Sequence, residues 1–85
     1  MVMQNTVETI TLEYPVEYNG EKITVLQMRR PKVRDQVAAR KMGSDDAEME
    51  IKLFANLCQV APVVIEDLDM KDYGKISATF RDFLS

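Results

Sequence analysis

The stretch Glu17-Tyr18-Asn19-Gly20-Glu21-Lys22 constrains this chain most. Asn and Gly both tolerate positive φ, which a two-residue type I′ turn requires at both central positions. Before the turn, Ile10, Leu12, Tyr14, Val16 and Tyr18 recur at every second position. That period of two is the signature of a half-buried strand. A tight hairpin over residues 7–29 is therefore predicted, with Tyr18 opposite Glu21, Val16 opposite Ile23 and Tyr14 opposite Val25. Extending this register sets Leu12 against Gln27, a poor match. A bulge near Pro15, or near Val25-Leu26, is predicted to bring Leu26 or Met28 onto the apolar face.

Beyond the hairpin the period changes. Arg30-Pro31 ends the second strand, since proline favours an extended predecessor and suits the first turn of a helix. A helix is predicted to about Met42, with Val33, Val37, Ala38 and Met42 inward and Gly43 at its C-terminal cap. A second helix runs from a Ser44 cap to about Gln59, its start favoured by Asp45 and Asp46. On a helical wheel Ala47, Ile51, Phe54, Ala55 and Cys58 form one apolar stripe. Met49, Leu53, Leu57 and Val60 form another beside it. This arc is wider than one packed surface usually needs. Ala61-Pro62 stops the helix, and a short turn or strand over Val63–Asp69 leads to the last one. There Asp69 is the expected N-cap, with Asp72 in a capping-box position and Leu68 and Tyr73 placed for a hydrophobic staple. Tyr73, Ile76, Phe80, Phe83 and Leu84 share its apolar face. The order of elements is α+β: an N-terminal β-hairpin or small antiparallel meander followed by about three α-helices. Eighty-five residues make one small domain, with residues 1–6 a loose leader, 7–29 the hairpin region and 31–85 the helical region.

Composition narrows the chemistry. The chain has no histidine and one cysteine, Cys58. The commonest general base and metal ligand are thus missing, and a disulfide framework is excluded. Ser44, Ser77 and Ser85 lack a base, and Gly20, Gly43 and Gly74 are too scattered for a phosphate loop. The acidic groups Asp45/Asp46 and Asp67/Asp69/Asp72 lack calcium-loop spacing and are explained by helix capping. No enzyme, cofactor or metal is expected. No secretory signal and no run near the ~18 apolar residues of a membrane span is present, so a cytoplasmic location is expected.

Charge is unevenly placed. Residues 1–28 sum to −3, residues 29–42 to +5 and residues 43–85 to −5, giving the net −3. The basic run holds Arg29, Arg30, Lys32, Arg34, Arg40 and Lys41, against Asp35 alone. A nucleic-acid site would want aromatic platforms or a recognition helix, yet no aromatic lies between Tyr18 and Phe54. Internal pairing with the acidic segments is the plainer account. A small regulatory nucleic-acid-binding protein using residues 29–41 is the alternative. Lys32 and Arg34 occupy the first turn of a helix, where cations cost about 0.3–1 kcal/mol each. That placement leaves room for a protein partner. Arg29, Arg30, Lys32 and Arg34, with Met49, Leu53, Leu57 and Val60 of the second stripe, are the candidate partner-binding residues. The plainer account of that stripe is that so short a chain needs it for its own core, or for self-association into a homo-oligomer.

The order of motifs carries a resemblance. The segment ITLEYPVEYNGEKITVLQMRRPKVRD resembles the opening of phage tail assembly chaperones of the E-protein type. The shared positions are Leu12, Pro15, Val16, Gly20, Ile23, Leu26, Met28, Arg29, Pro31 and Asp35. The later segments EIKLFANLCQVAP and IEDLDMKDYGKISATFRDFL continue it through Leu53, Leu57, Ile65, Leu68, Asp72, Tyr73, Ile76 and Phe83. The resemblance implies a non-enzymatic phage or prophage protein of the host bacterial cytoplasm. It would bind the helical tape measure protein, keep it soluble, help recruit the tail tube protein and be absent from the mature virion. A minor structural tail subunit is the alternative within the same setting. The resemblance assigns no site residues.

Overall fold

The computed structural model describes residues 7–85; the expected leader at residues 1–6 lies outside them. The element order is β1 (Val7–Tyr18), β2 (Glu21–Arg29), α1 (Val33–Met42), α2 (Asp46–Cys58), α3 (Pro62–Glu66) and α4 (Met70–Leu84). This is the expected α+β arrangement, a two-stranded antiparallel hairpin followed by helices. The helices number four among the described residues: the Val63–Asp69 segment holds the short helix α3, with Pro62 in its first turn and Val64 and Ile65 buried.

Asn19 and Gly20 both take positive φ, 52° and 80°, and the turn sets Tyr18 against Glu21 and Val16 against Ile23, as expected. The register then breaks. Thr11 faces Val25, so Leu12, Glu13, Tyr14 and Pro15 stand against Thr24 alone. Val25 therefore does not meet Tyr14. The offset of three is odd, so it exchanges the two faces of β2. Past the break Leu26 and Met28 join Ile10, Leu12 and Val16 in the core, while Val25 is exposed. The bulge frees the N–H groups of Glu13 and Tyr14, which need partners if the segment is to be covered. Asp72 of α4 supplies both, Oδ1 accepting from Glu13 at 2.9 Å and Oδ2 from Tyr14 at 3.0 Å. Asp72 is fully buried. Its carboxylate thus anchors α4 to the bulge instead of serving the helix start. Burial pushes its pKa up, but the two N–H donors and Lys75 outweigh this, and the net shift is downward.

α2, α3 and α4 lie on the hairpin's apolar face. α2 packs on β2, α4 on β1, α3 between α2 and β1, and α1 chiefly on the outside of α2. Phe54 of α2 joins the layers, its ring 5.7 Å from Tyr73 and 5.4 Å from Phe80 of α4. Two caps differ from expectation. Asp45, rather than Ser44, caps α2 by accepting from the Glu48 N–H at 2.8 Å. Gly43 ends α1 with an extended φ of −101°, not a left-handed one. Its lack of a side chain serves a close approach, since a Cβ there would sit 2.6 Å from the Met49 nitrogen. The left-handed residue is Gln59, at φ 57°, which closes α2. Asp69 caps α4 as expected, accepting from the Lys71 N–H at 2.9 Å.

Candidate functional site

The rotation of α1 about its own axis decides which surface the protein offers, and one acid sets that rotation. Asp35 is the only acid among residues 29–42 and is 4% exposed. Its carboxylate accepts from Arg29 Nη1 at 2.9 Å and Nη2 at 2.7 Å, from the Lys32 N–H at 2.8 Å and from Asn56 Nδ2 at 3.1 Å. The two-pronged Arg29 contact is the strong geometry for such a pair. Hydrogen bonds from Arg29 hold the Asp35 carboxyl at about 2, against its ordinary 3.8. The Lys32 bond is half of a capping box; lysine has no acceptor to complete the other half.

With Asp35 pinned inward, Ala39 is buried and Ala38 half-buried against α2. Val33, Val37 and Met42, expected inward, are exposed, Val33 to 81%. Asp35 and Ala39 are one turn apart on the inward face, and Val33 and Val37 are one turn apart on the opposite one. The polar network outweighs the burial of two valines in choosing between them.

The same arrangement opens a groove along α1. At its N-terminal end a cleft of about 380 Å³ is lined by Pro31, Lys32, Val33, Gln36, Phe80 and Leu84, with Leu53 at its side. A second of about 160 Å³ continues it past Ala39, Arg40 and Met49, sharing Gln36, Leu53 and Phe80. α1, α2 and the C-terminal half of α4 are its walls. Leu84 is 65% exposed, whereas Phe80, Leu53 and Met49 are half-buried.

The residues expected to bind a partner therefore separate. Met49 and Leu53 line the groove. Val60 is half-buried against the core. Leu57 is fully buried and belongs to the core, not to the surface. The stripe divides because α2 also packs on α3 and β2, whose Val64, Ile65, Leu26 and Met28 share the core cluster with Leu57. Among the cations, Arg29 is committed to Asp35. Arg30 lies 5.7 Å from the centre of the Phe83 ring, a cation–π contact. Lys32, Arg34, Arg40 and Lys41 are exposed. Sequence periodicity missed Val33, Gln36, Phe80 and Leu84 as one surface. The available signal was Asp35 itself, a lone acid placed to meet Arg29.

The remaining chemistry is spare. Among the described residues no cluster of His, Cys, Asp or Glu is arranged to hold a metal, and no helix is long and apolar enough to cross a membrane. Cys58 is buried, and burial pushes its thiol up to about 11. Burial and the carboxylate of Glu50, which accepts from its hydroxyl, raise the Tyr73 pKa.

A family described as phage tail assembly chaperone proteins, E, or 41 or 14, matches residues 9–85. The chain belongs to this family. No curated protein and no solved structure matches it. The matched span runs from the start of the hairpin core to the end of α4, so it includes both anchoring carboxylates and the groove. The chaperone's Asp35 and Asp72, at positions expected from the resemblance, fix α1 to β2's end and α4 to the β1 bulge.

Proposed function

We propose that this tail assembly chaperone binds a helical segment of the tape measure protein and keeps it soluble while the tail tube protein assembles around it. A tape measure protein is long and helical, and its apolar faces need cover until they reach their final neighbours. The observation that carries the reading is the groove of α1, α2 and α4, which leaves Val33 and Leu84 exposed at its edge. Helix-in-groove binding works on such surfaces through anchors spaced three or four residues apart. Met49 at the groove's end adds a flexible thioether that adapts to varied anchors. Lys32, Met49 and Leu53, which line the groove, are the contact residues of this reading; Arg34 is exposed on the same helix, and Arg30 and Val60 are outside the lining. The protein acts by binding alone, without catalysis, in the host cytoplasm, and does not remain in the mature virion.

Co-expression with the tape measure protein of the same phage or prophage tests the reading. A soluble complex that purifies together is expected, with the tape measure protein aggregating when expressed alone. A tape measure protein that is equally soluble and unbound in both cases overturns it. Mass spectrometry of purified virions should find no peptides of this chain; their presence at tail stoichiometry would make it a structural tail subunit instead.

A further inference from the structure

We infer that the groove selects an acidic amphipathic helix, with Lys32 and Arg40 reading two acidic residues about seven positions apart. The inference rests on the chaperone reading and specifies the chemistry of its client. Of the six cations in residues 29–42, Arg29 is neutralised by Asp35, which leaves five without an acid in their own segment. Two of them line the groove at opposite ends: Lys32 beside Val33, and Arg40 beside Ala39. Arg34 and Lys41 are exposed on the same helix. A chain of net charge −3 thus places two cations, Lys32 and Arg40, on the lining of one apolar groove.

Geometry sets the spacing. Lys32 and Arg40 are eight residues apart, which along a helix is about 12 Å. A partner helix lying along α1 presents residues i and i+7 on one face about 10–11 Å apart. Apolar residues between them, at intervals of three and four, would meet Val33, Leu53 and Phe80. The acid in the groove wall, Glu50, already accepts a hydrogen bond from the Tyr73 hydroxyl. The cations in the first turn of α1 make sense in this setting. They oppose that helix's own dipole, and a bound acid offsets the opposition.

The test uses two labelled helical peptides of about sixteen residues with identical leucine faces, long enough to span the groove. One carries Glu at the two flanking positions, the other Lys. Anisotropy titrations against the full chain, at low and high salt, should show the acidic peptide binding about tenfold tighter, a preference that shrinks with salt. Lys32→Glu with Arg40→Glu should reverse the preference. Val33→Asp with Leu84→Asp should weaken both peptides about tenfold or more. All four residues are exposed, and circular dichroism checks that the variants keep their fold.

Equal affinity for the two peptides, no binding of either, or binding that ignores the variants overturns the inference. So does a dimer in sedimentation that disappears in the Val33→Asp, Leu84→Asp variant, since a second copy would then fill the groove. The tape measure protein separates this failure from that of the chaperone reading. If it co-purifies with the variants as well as with wild type, the groove is wrong and the chaperone reading stands. Its failure to co-purify with wild type removes the chaperone reading, and the peptide titrations then decide the groove alone.

Discussion

Asparagine at position 35 is the sharpest perturbation of the surface just described, because Asp35 sets how α1 sits on α2. Asparagine stands in for the protonated acid: it keeps the shape and loses the charge. The folded carboxyl titrates at about 2, against an ordinary value of 3.8. Nearly two pH units at about 1.36 kcal/mol each give about 2.5 kcal/mol of stability at pH 7. Breaking a wholly buried pair costs about 3–5 kcal/mol, so the smaller figure suits a pair whose arginine can partly turn to water. The Arg29 side chain is 30% exposed. For a chain of this length the whole stability is about 4–13 kcal/mol, so the loss is large. Urea unfolding followed by far-ultraviolet circular dichroism measures it as a lower midpoint at unchanged slope. The sign with pH is fixed. The folded value lies below the unfolded one, so the contribution is complete above 3.8 and is lost as pH falls through about 2. The gap between wild type and Asp35→Asn should be about half its neutral value at pH 3 and nearly gone near pH 2. A gap under about 0.5 kcal/mol at pH 7, or one that stays constant down to pH 2, refutes the reasoning.

Other outcomes follow from single contacts. Gly43→Ala should destabilise by about 1–3 kcal/mol in thermal melts, because the new Cβ would meet the Met49 backbone; a neutral result would mean α2 shifts freely. Gln59→Gly should stabilise by about 1 kcal/mol, a rise in Tm of about 4–8 °C, by removing a side chain from a left-handed position. Cys58 should react with a thiol reagent only at the rate of unfolding at pH 8, since it is buried and its thiol titrates near 11; rapid labelling of the native protein would contradict its place in the core.

The hairpin was legible because its signals are local. Asn19-Gly20 permits one kind of turn, and the alternating residues beside it fix the facing until the bulge. The bulge was foreseen from a mismatch between Leu12 and Gln27, but its size was not, because that depends on Asp72 fifty-nine residues beyond Glu13. The α1 surface was misread for a related reason. Valines outrank alanines in hydropathy, so periodicity alone turns Val33 and Val37 inward. The helix instead follows Asp35, whose four bonds come from Arg29, Lys32 and Asn56. Similarly, the stripe on α2 is continuous in sequence but divides in space, with Leu57 in the core and Met49 and Leu53 at the groove. Long-range polar anchors leave little trace in hydrophobic periodicity.

Hydrogen exchange on the co-expressed complex with the tape measure protein tests the central claim most directly. Slower exchange is expected in peptides from α1 and the C-terminal half of α4, relative to the free chaperone, with the outer face of the hairpin around Val7 and Val25 unchanged. Protection confined to that outer face, with α1 and α4 exchanging as in the free protein, would contradict it.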